Sequence, residues 1–397
     1  MDFGTATYRS STLHGVRTLL LAGVTLGAAM AGSLLTLTSV HDTGIQHANA
    51  ESLSDTRADA ALTATPPARR VVGYFPIWDR NAGYTEANVD FTTVTHVAHF
   101  ALTPRADGSL LIPDWGPFPD QKLISATHNA GAKIVLVIGG DDAPATTGFA
   151  GLSATAAGRQ RFVSSVQAML SNNGYDGVDL DWEFPSSVAD RDNLTHLVSE
   201  LRGALGPNKS ISLAAPGSSW SGQWLDVAAL APLVDWIGAM TYSLSGSTWS
   251  HRSDNNSALF AVDDQALSLD TTRAYYLGRG LSADKLLLGV SFYGQRFDGA
   301  NEMYKSLNGT GGGTITYPEV SQLIGKGWTA RRDAAAGVPY LTKDNGQGVV
   351  SYDDPESVGL KCQYIRDQGL GGVILWHLGQ DKIGSSQPLQ AAARACR

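Results

Sequence analysis

The stretch Tyr175–Pro185, YDGVDLDWEFP, places Asp176, Asp179, Asp181 and Glu183 within eight residues, interleaved with Val178, Leu180 and Trp182. Successive side chains of a strand point to opposite faces, so Asp179, Asp181 and Glu183 would share one side and the three apolar residues the other. The apolar residues opposite and the Gly-rich, aromatic flanks predict a strand inside a fold rather than an exposed acidic edge. Carboxylates crowded on one buried face do not all ionise comfortably, so shifted proton affinities are expected there. No Lys or Arg lies within the run to neutralise the acids, which argues against a purely structural salt-bridge cluster. Acids at alternate strand positions can also bind Mg²⁺ or Ca²⁺. The other strand ends, however, offer few carboxylates or histidines to complete a shell, so neither a metal nor a cofactor is expected.

From residue 71 onward, short apolar or β-branched runs recur, each followed by a helix-like stretch. The strand candidates are VVGYFPIW (71–78), TTVTHVAHFAL (92–102), AKIVLVIGG (132–140), YDGVDLDWEF (175–184), SISLAAPG (210–217), DWIGAMTY (235–242), KLLLGVSFYG (285–294) and GGVILWHLG (371–379). Segments with helical spacing lie between them at 119–130, 155–172, 189–205, 263–279 and 355–368. Strict alternation implies parallel strands joined by right-handed crossovers. Eight such units predict an α/β fold, a closed (β/α)8 TIM barrel with its active site at the C-terminal ends of the strands. The acidic run is the fourth strand, and its acids lie toward that end. One interval is too long: 76 residues (295–370) separate the seventh and eighth strands. Its first part, about 297–352, reads as a small rim insertion of short strands and turns, followed by the last crossover helix.

The chain has 397 residues, a formal net charge of −8 and no basic cluster. A nucleic-acid footprint and an anionic membrane surface are therefore not expected, and a neutral or cationic substrate fits better. Near the N-terminus, the 23 uncharged residues 18–40 precede Ala48 and Ala50, which form a small-x-small cleavage pattern. Residues 1–50 thus read as an export signal cleaved after Ala50, although such a stretch is also long enough for a retained membrane anchor. Either way the remainder lies outside the cytoplasm. Residues 51–70 read as a flexible linker, and 71–397 as the catalytic domain. The two cysteines, Cys362 and Cys396, can form one bridge pinning the C-terminal helix in an oxidising compartment, or remain two unpaired thiols.

DGVDLDWEFP resembles the DxxDxDxE signature of glycoside hydrolase family 18, the chitinases and related endo-β-N-acetylglucosaminidases. The likeness extends over roughly 71–395: GYFPIW is similar to the family's first strand, AMTY to its sixth, KLLLGVSFYG to its seventh and GGVILWHLGQD to its eighth, with VSYDDPESVGLKCQYI leading into the last helix. The resemblance implies substrate-assisted, retaining cleavage of β-1,4 bonds in chitin or in other glycans containing N-acetylglucosamine. Glu183 would be the general acid. Asp181 would hold the substrate's 2-acetamido group while its oxygen attacks the anomeric carbon, and Asp179 would share a proton with Asp181. Tyr242 would donate to the acetamido oxygen, Met240 would line the pocket, and Trp376 would floor the sugar at the cleaved end. Tyr74 is expected near Asp179, and Asp176 is carried over with the signature as a substrate-binding residue. Trp78, Trp115, Trp220 and Trp249 fall near candidate upper loops and are candidates for sugar stacking.

Two departures from the family pattern stand out. Its third-strand SxGG appears as VIGG, so Val137 replaces a serine that hydrogen-bonds the deepest acid, a loss expected to raise the cluster's proton affinity. Ser243 stands where an aspartate usually follows the tyrosine of AMTY. Two alternatives accompany the main reading: an endo-β-N-acetylglucosaminidase acting on N-glycan or cell-wall glycan, and a catalytically weak chitin-binding lectin. The presence of Glu183 argues against the lectin. No stable protein partner is implied, and a monomer is the default expectation for such a barrel.

Overall fold

The computed structural model describes residues 68–114, 116–307, 311–384 and 386–397. The expected export signal and the linker up to residue 67 lie outside the described residues, and Arg70, expected in the linker, already belongs to the first strand. The strands are β1 (Arg70–Pro76), β2 (His96–Pro104), β3 (Lys133–Gly140), β4 (Gly177–Trp182), β5 (Ser210–Pro216), β6 (Trp236–Met240) and β7 (Leu286–Ser291). They are followed by β8 (Tyr293–Phe297), β9 (Gly312–Thr316), β10 (Trp328–Asp333), β11 (Val338–Lys343), β12 (Val349–Ser351) and β13 (Gly372–Trp376).

β1 to β7 and β13 form the barrel. β1 pairs in parallel with both β13 and β2, which closes the sheet. Alternation along each strand divides the core in two. Val72 and Tyr74 of β1, Val135 and Val137 of β3, and Ile374 of β13 fill the barrel interior. Val71, Phe75, Val178, Leu180 and Trp182 pack outward against the helices. The period-2 reading of the acidic strand therefore holds: its apolar side faces the helical layer and Asp179 and Asp181 point inward.

Helices Gln121–Asn129, Ala156–Asn173, Val188–Leu205, Leu269–Gly278 and Pro355–Asp367 match the segments expected from spacing. Strict alternation does not hold. Between β1 and β2 the chain makes only 3-10 turns at Ile77–Ala82 and Glu86–Asn88, and between β5 and β6 only two four-residue helices at Ser219–Gly222 and Val227–Leu230. An additional helix, Ala143–Ser153, follows β3 and is capped by Asp142, whose Oδ1 accepts from Ala145 N at 2.6 Å.

The rim insertion is a five-stranded antiparallel sheet in the order β9-β8-β12-β11-β10. It begins at Tyr293 rather than about 297, because β8 follows β7 after a single residue. Cys362 and Cys396 are disulfide-bonded across 34 residues of sequence, tying helix Pro355–Asp367 to the C-terminal turn. Among the described residues no helix is long and apolar enough to cross a membrane.

Candidate active site

The C-terminal ends of the barrel strands surround a cavity of about 520 Å³. Asp181, Glu183, Tyr242, Met240, Trp376 and Tyr74, six of the residues singled out in the sequence, line it. Local geometry makes room for them. Gly139 has φ +122°, and a Cβ there would lie 1.9 Å from the carbonyl oxygen of Asp181, so only glycine lets β3 approach β4 at the level of the acids. A Cβ on Gly289 would meet the Tyr242 ring at 2.6 Å. Thr241 joins β6 to β7 just before Tyr242: its Oγ1 donates to the Gly289 carbonyl and accepts from the Gly289 N–H, each at 2.8 Å. Thr146 Oγ1 donates to the carbonyl of Glu183 at 2.8 Å, fixing the backbone that carries this acid.

Asp179 lies beneath the cavity, buried and doubly held. Tyr74 Oη donates to its Oδ2 at 2.7 Å and Ser212 Oγ to its Oδ1 at 2.5 Å. Val137 and Ser212 are its register partners on β3 and β5. The hydroxyl absent at position 137 is thus supplied from the opposite flank, a donor that the third-strand motif could not reveal. Burial raises the proton affinity of Asp179, and the two hydrogen bonds counteract it. Asp181 is pushed well above the usual carboxylate range by burial, then by Glu183, Asp179 and Asp141. Its Oδ1 is buried without a hydrogen-bond partner, so a donor from outside the protein would satisfy it. Glu183 is raised to about 8, chiefly by burial and then by Asp141. Burial also raises Tyr74 and Tyr242, which keeps both hydroxyls protonated as donors.

Trp376 meets Tyr74 and Phe100 edge-on at ring-centroid distances of 5.4 and 4.8 Å, and this packing fixes the aromatic floor. Behind it, His377 Nδ1 lies 2.9 Å from Asp79 Oδ2. Trp249, 57 % exposed, lines the cavity mouth, and Trp220, 81 % exposed, stands beside the lining residues Ser218 and Ser221. Trp78 packs edge-on against the lining residue Phe100 without itself lining the cavity, and Trp115 lies outside the described residues.

Asp176 is a correction. It precedes the first residue of β4, at the end of the barrel opposite the cavity, where its Oδ2 accepts from Ile134 N at 2.8 Å and lies 3.0 Å from His128 Nε2. Its carboxylate anchors the strand's entry and contributes nothing to the cavity. Among the lining residues not foreseen are Asp141, directly after β3, Phe100 and Tyr293. Asp141 alone carried a signal, an acid immediately after the third-strand GG. Ser243 has φ +49°; its N–H donates to Asn256 Oδ1 at 3.0 Å and its Oγ lies 2.5 Å from Tyr293 Oη. The carboxylate missing at 243 is replaced by a neutral hydrogen-bonded wall.

The model of the family Glycosyl hydrolases family 18 matches residues 70–381. Chitinase A1 of Niallia circulans is 29% identical over 79% of this chain and 56% of its own length. Endochitinase 1 of Metarhizium robertsii is 30% identical over 78% of this chain and 81% of its own. Among solved structures, catalytic domain 2 of the Ostrinia furnacalis Group II chitinase, crystallised with (NAG)5, superposes with a TM-score of 0.75 at 25% identity, covering 82% of this chain and 95% of that one. With the acidic strand, the closed barrel and the cavity above it in place, these matches identify the chain as a glycoside hydrolase belonging to glycosyl hydrolases family 18.

Proposed function

We propose that the protein is an exported hydrolase that cleaves β-1,4 bonds beside N-acetylglucosamine in chitin or its oligosaccharides, by substrate-assisted retention. The observation that carries this reading is the buried, unpartnered Asp181 Oδ1 in the cavity next to Glu183, whose proton affinity burial raises to about 8. An acetamido N–H would satisfy the first, and a glycosidic oxygen would take the proton of the second. With Tyr242 donating to the acetamido oxygen, that oxygen attacks the anomeric carbon and gives an oxazolinium ion. Glu183 then activates water to open it. The sugar would rest on Trp376. The printed names of the relatives and the (NAG)5 complex of the Ostrinia domain support chitin as the substrate class.

The test is hydrolysis of a chromogenic N-acetylchitobioside by wild type and Glu183→Gln. Loss of general-acid help is worth about 10²–10⁴-fold in rate, so the variant should be slower by that order while still binding the sugar. No turnover of this or longer oligomers by wild type, with binding intact, would favour the lectin instead.

A further inference from the structure

Among the described residues that line the cavity, Asp141 is the carboxylate to which the reaction above gives no task. β3 and β4 run in parallel with Gly140 paired to Trp182, so Asp141 and Glu183 leave neighbouring strands at the same level. Both line the cavity. The next acid, Asp142, turns away to cap its helix, whereas the Asp141 side chain keeps access to solvent at the cavity wall, with its proton affinity raised first by desolvation and further by Asp142. Among the described residues no Lys, Arg or His lines the cavity. The opposite wall, at Ser243, Tyr293 and Asn256, is neutral.

The position of Asp141 relative to the acidic strand follows from the register of β3 and β4. Gly139 is paired with Asp181 and Gly140 with Trp182, so Asp141 is level with Glu183 and one pleat nearer the mouth than Asp181, and after burial it is the group that raises the proton affinity of Glu183. It therefore stands beside the acid that serves the cleaved bond rather than beside Asp181, which would hold the N-acetylated sugar. That held sugar must keep its N-acetyl group, because the acetamido oxygen is the nucleophile and the buried Asp181 Oδ1 requires the N–H. A sugar without the acetyl group can therefore sit productively only at a neighbouring position. Its C2 amine is an ammonium near neutral pH, the charge that an unpaired carboxylate in a cation-free cavity attracts.

We propose that Asp141 is a specificity-determining residue that selects a glucosamine unit across the cleaved bond from the N-acetylated unit, making partly N-deacetylated chitin a preferred substrate. This rests on the reaction proposed above. The same field disfavours anionic sugars at that position.

The experiment digests partly N-deacetylated chitin with wild type and with Asp141→Asn and sequences the new non-reducing ends. An exposed ion pair corresponds to about two- to fivefold enrichment. Glucosamine should be enriched by that order at the new ends from wild type, less so in high salt, and Asp141→Asn should bring the ends back to the mean composition of the polymer. Ends of mean composition from wild type, or equal enrichment from both proteins, would overturn the proposal. If neither protein cuts this polymer or fully acetylated chitin, the reaction reading fails, and titration of both with partly deacetylated and fully acetylated hexamers decides the role of Asp141. Tighter binding of the deacetylated hexamer that Asp141→Asn loses would uphold it; equal binding would remove it.

Discussion

Asp179 shows how much a single hydroxyl can set. Its two oxygens are held separately by Tyr74 and Ser212, and each hydrogen bond favours the charged carboxylate against the burial that disfavours it. A hydrogen bond to a charged group contributes about 1.5–3 kcal/mol, or about one to two pKa units. Ser212→Ala should therefore move the acid limb of the pH–rate profile upward by roughly one unit, and adding Val137→Ser, on the other flanking strand, should move it back. An unmoved profile in the single variant would show that Ser212 only fills space. Glu183 makes the complementary case. Its folded proton affinity is raised from 4.5 to about 8, so the native state holds the proton more tightly than the unfolded chain. The stability that it contributes is full below about pH 4.5 and is lost as pH rises through about 8. Glu183→Gln should thus change thermal stability little in acid and raise it above pH 8, while the alkaline limb of wild-type activity falls near that same pH. The period-2 pattern exposed Asp179, Asp181 and Glu183 because one strand carries all three. Ser212, Asp141 and Tyr293 come from other strands or strand ends, and only parallel register and barrel closure bring them to the acids, which no run of sequence displays.

At the level of elements, the last crossover helix, Pro355–Asp367, is fastened twice. Lys361 Nζ lies 2.6 and 2.7 Å from the two oxygens of Asp353 and 3.0 Å from Ser257 Oγ, with both charged side chains fully buried. Removing one partner strands a buried charge, which costs about 3–5 kcal/mol. Lys361→Met should lower the denaturant midpoint accordingly, and an unchanged midpoint would mean that Asp353 finds another partner or takes up a proton at little cost. The Cys362–Cys396 bridge closes a loop of 34 residues over the same helix. Cys362→Ser with Cys396→Ser should cost about 2–4 kcal/mol, readable in the same unfolding experiment under non-reducing conditions. The elements legible in sequence were those with strong periodicity: the barrel strands, whose buried residues run almost unbroken, and the amphipathic helices between them. The rim strands were legible only as an insertion. β9 is GGTIT and β10 is WTARRD, with only Trp328 of β10 buried, so neither carries the alternation of a half-buried strand. The full crossover helices missing after β1 and β5 had no apolar stripe to announce them, and those connections are made by 3-10 turns and by two four-residue helices.

For the whole molecule, the closed barrel gathers groups from separate strands around one cation-free cavity, in a chain of net charge −8. In the reaction we propose, this cavity uses the substrate's own acetamido oxygen as the nucleophile, with Glu183 as acid and then base. Two displacements at the anomeric carbon retain its configuration, whereas direct attack by water activated from the far side inverts it. The most direct measurement is proton NMR of the first product formed when wild type cleaves an N-acetylchito-oligosaccharide, recorded before mutarotation. Substrate-assisted retention gives the β anomer first at the new reducing end; an initial α anomer would rule it out.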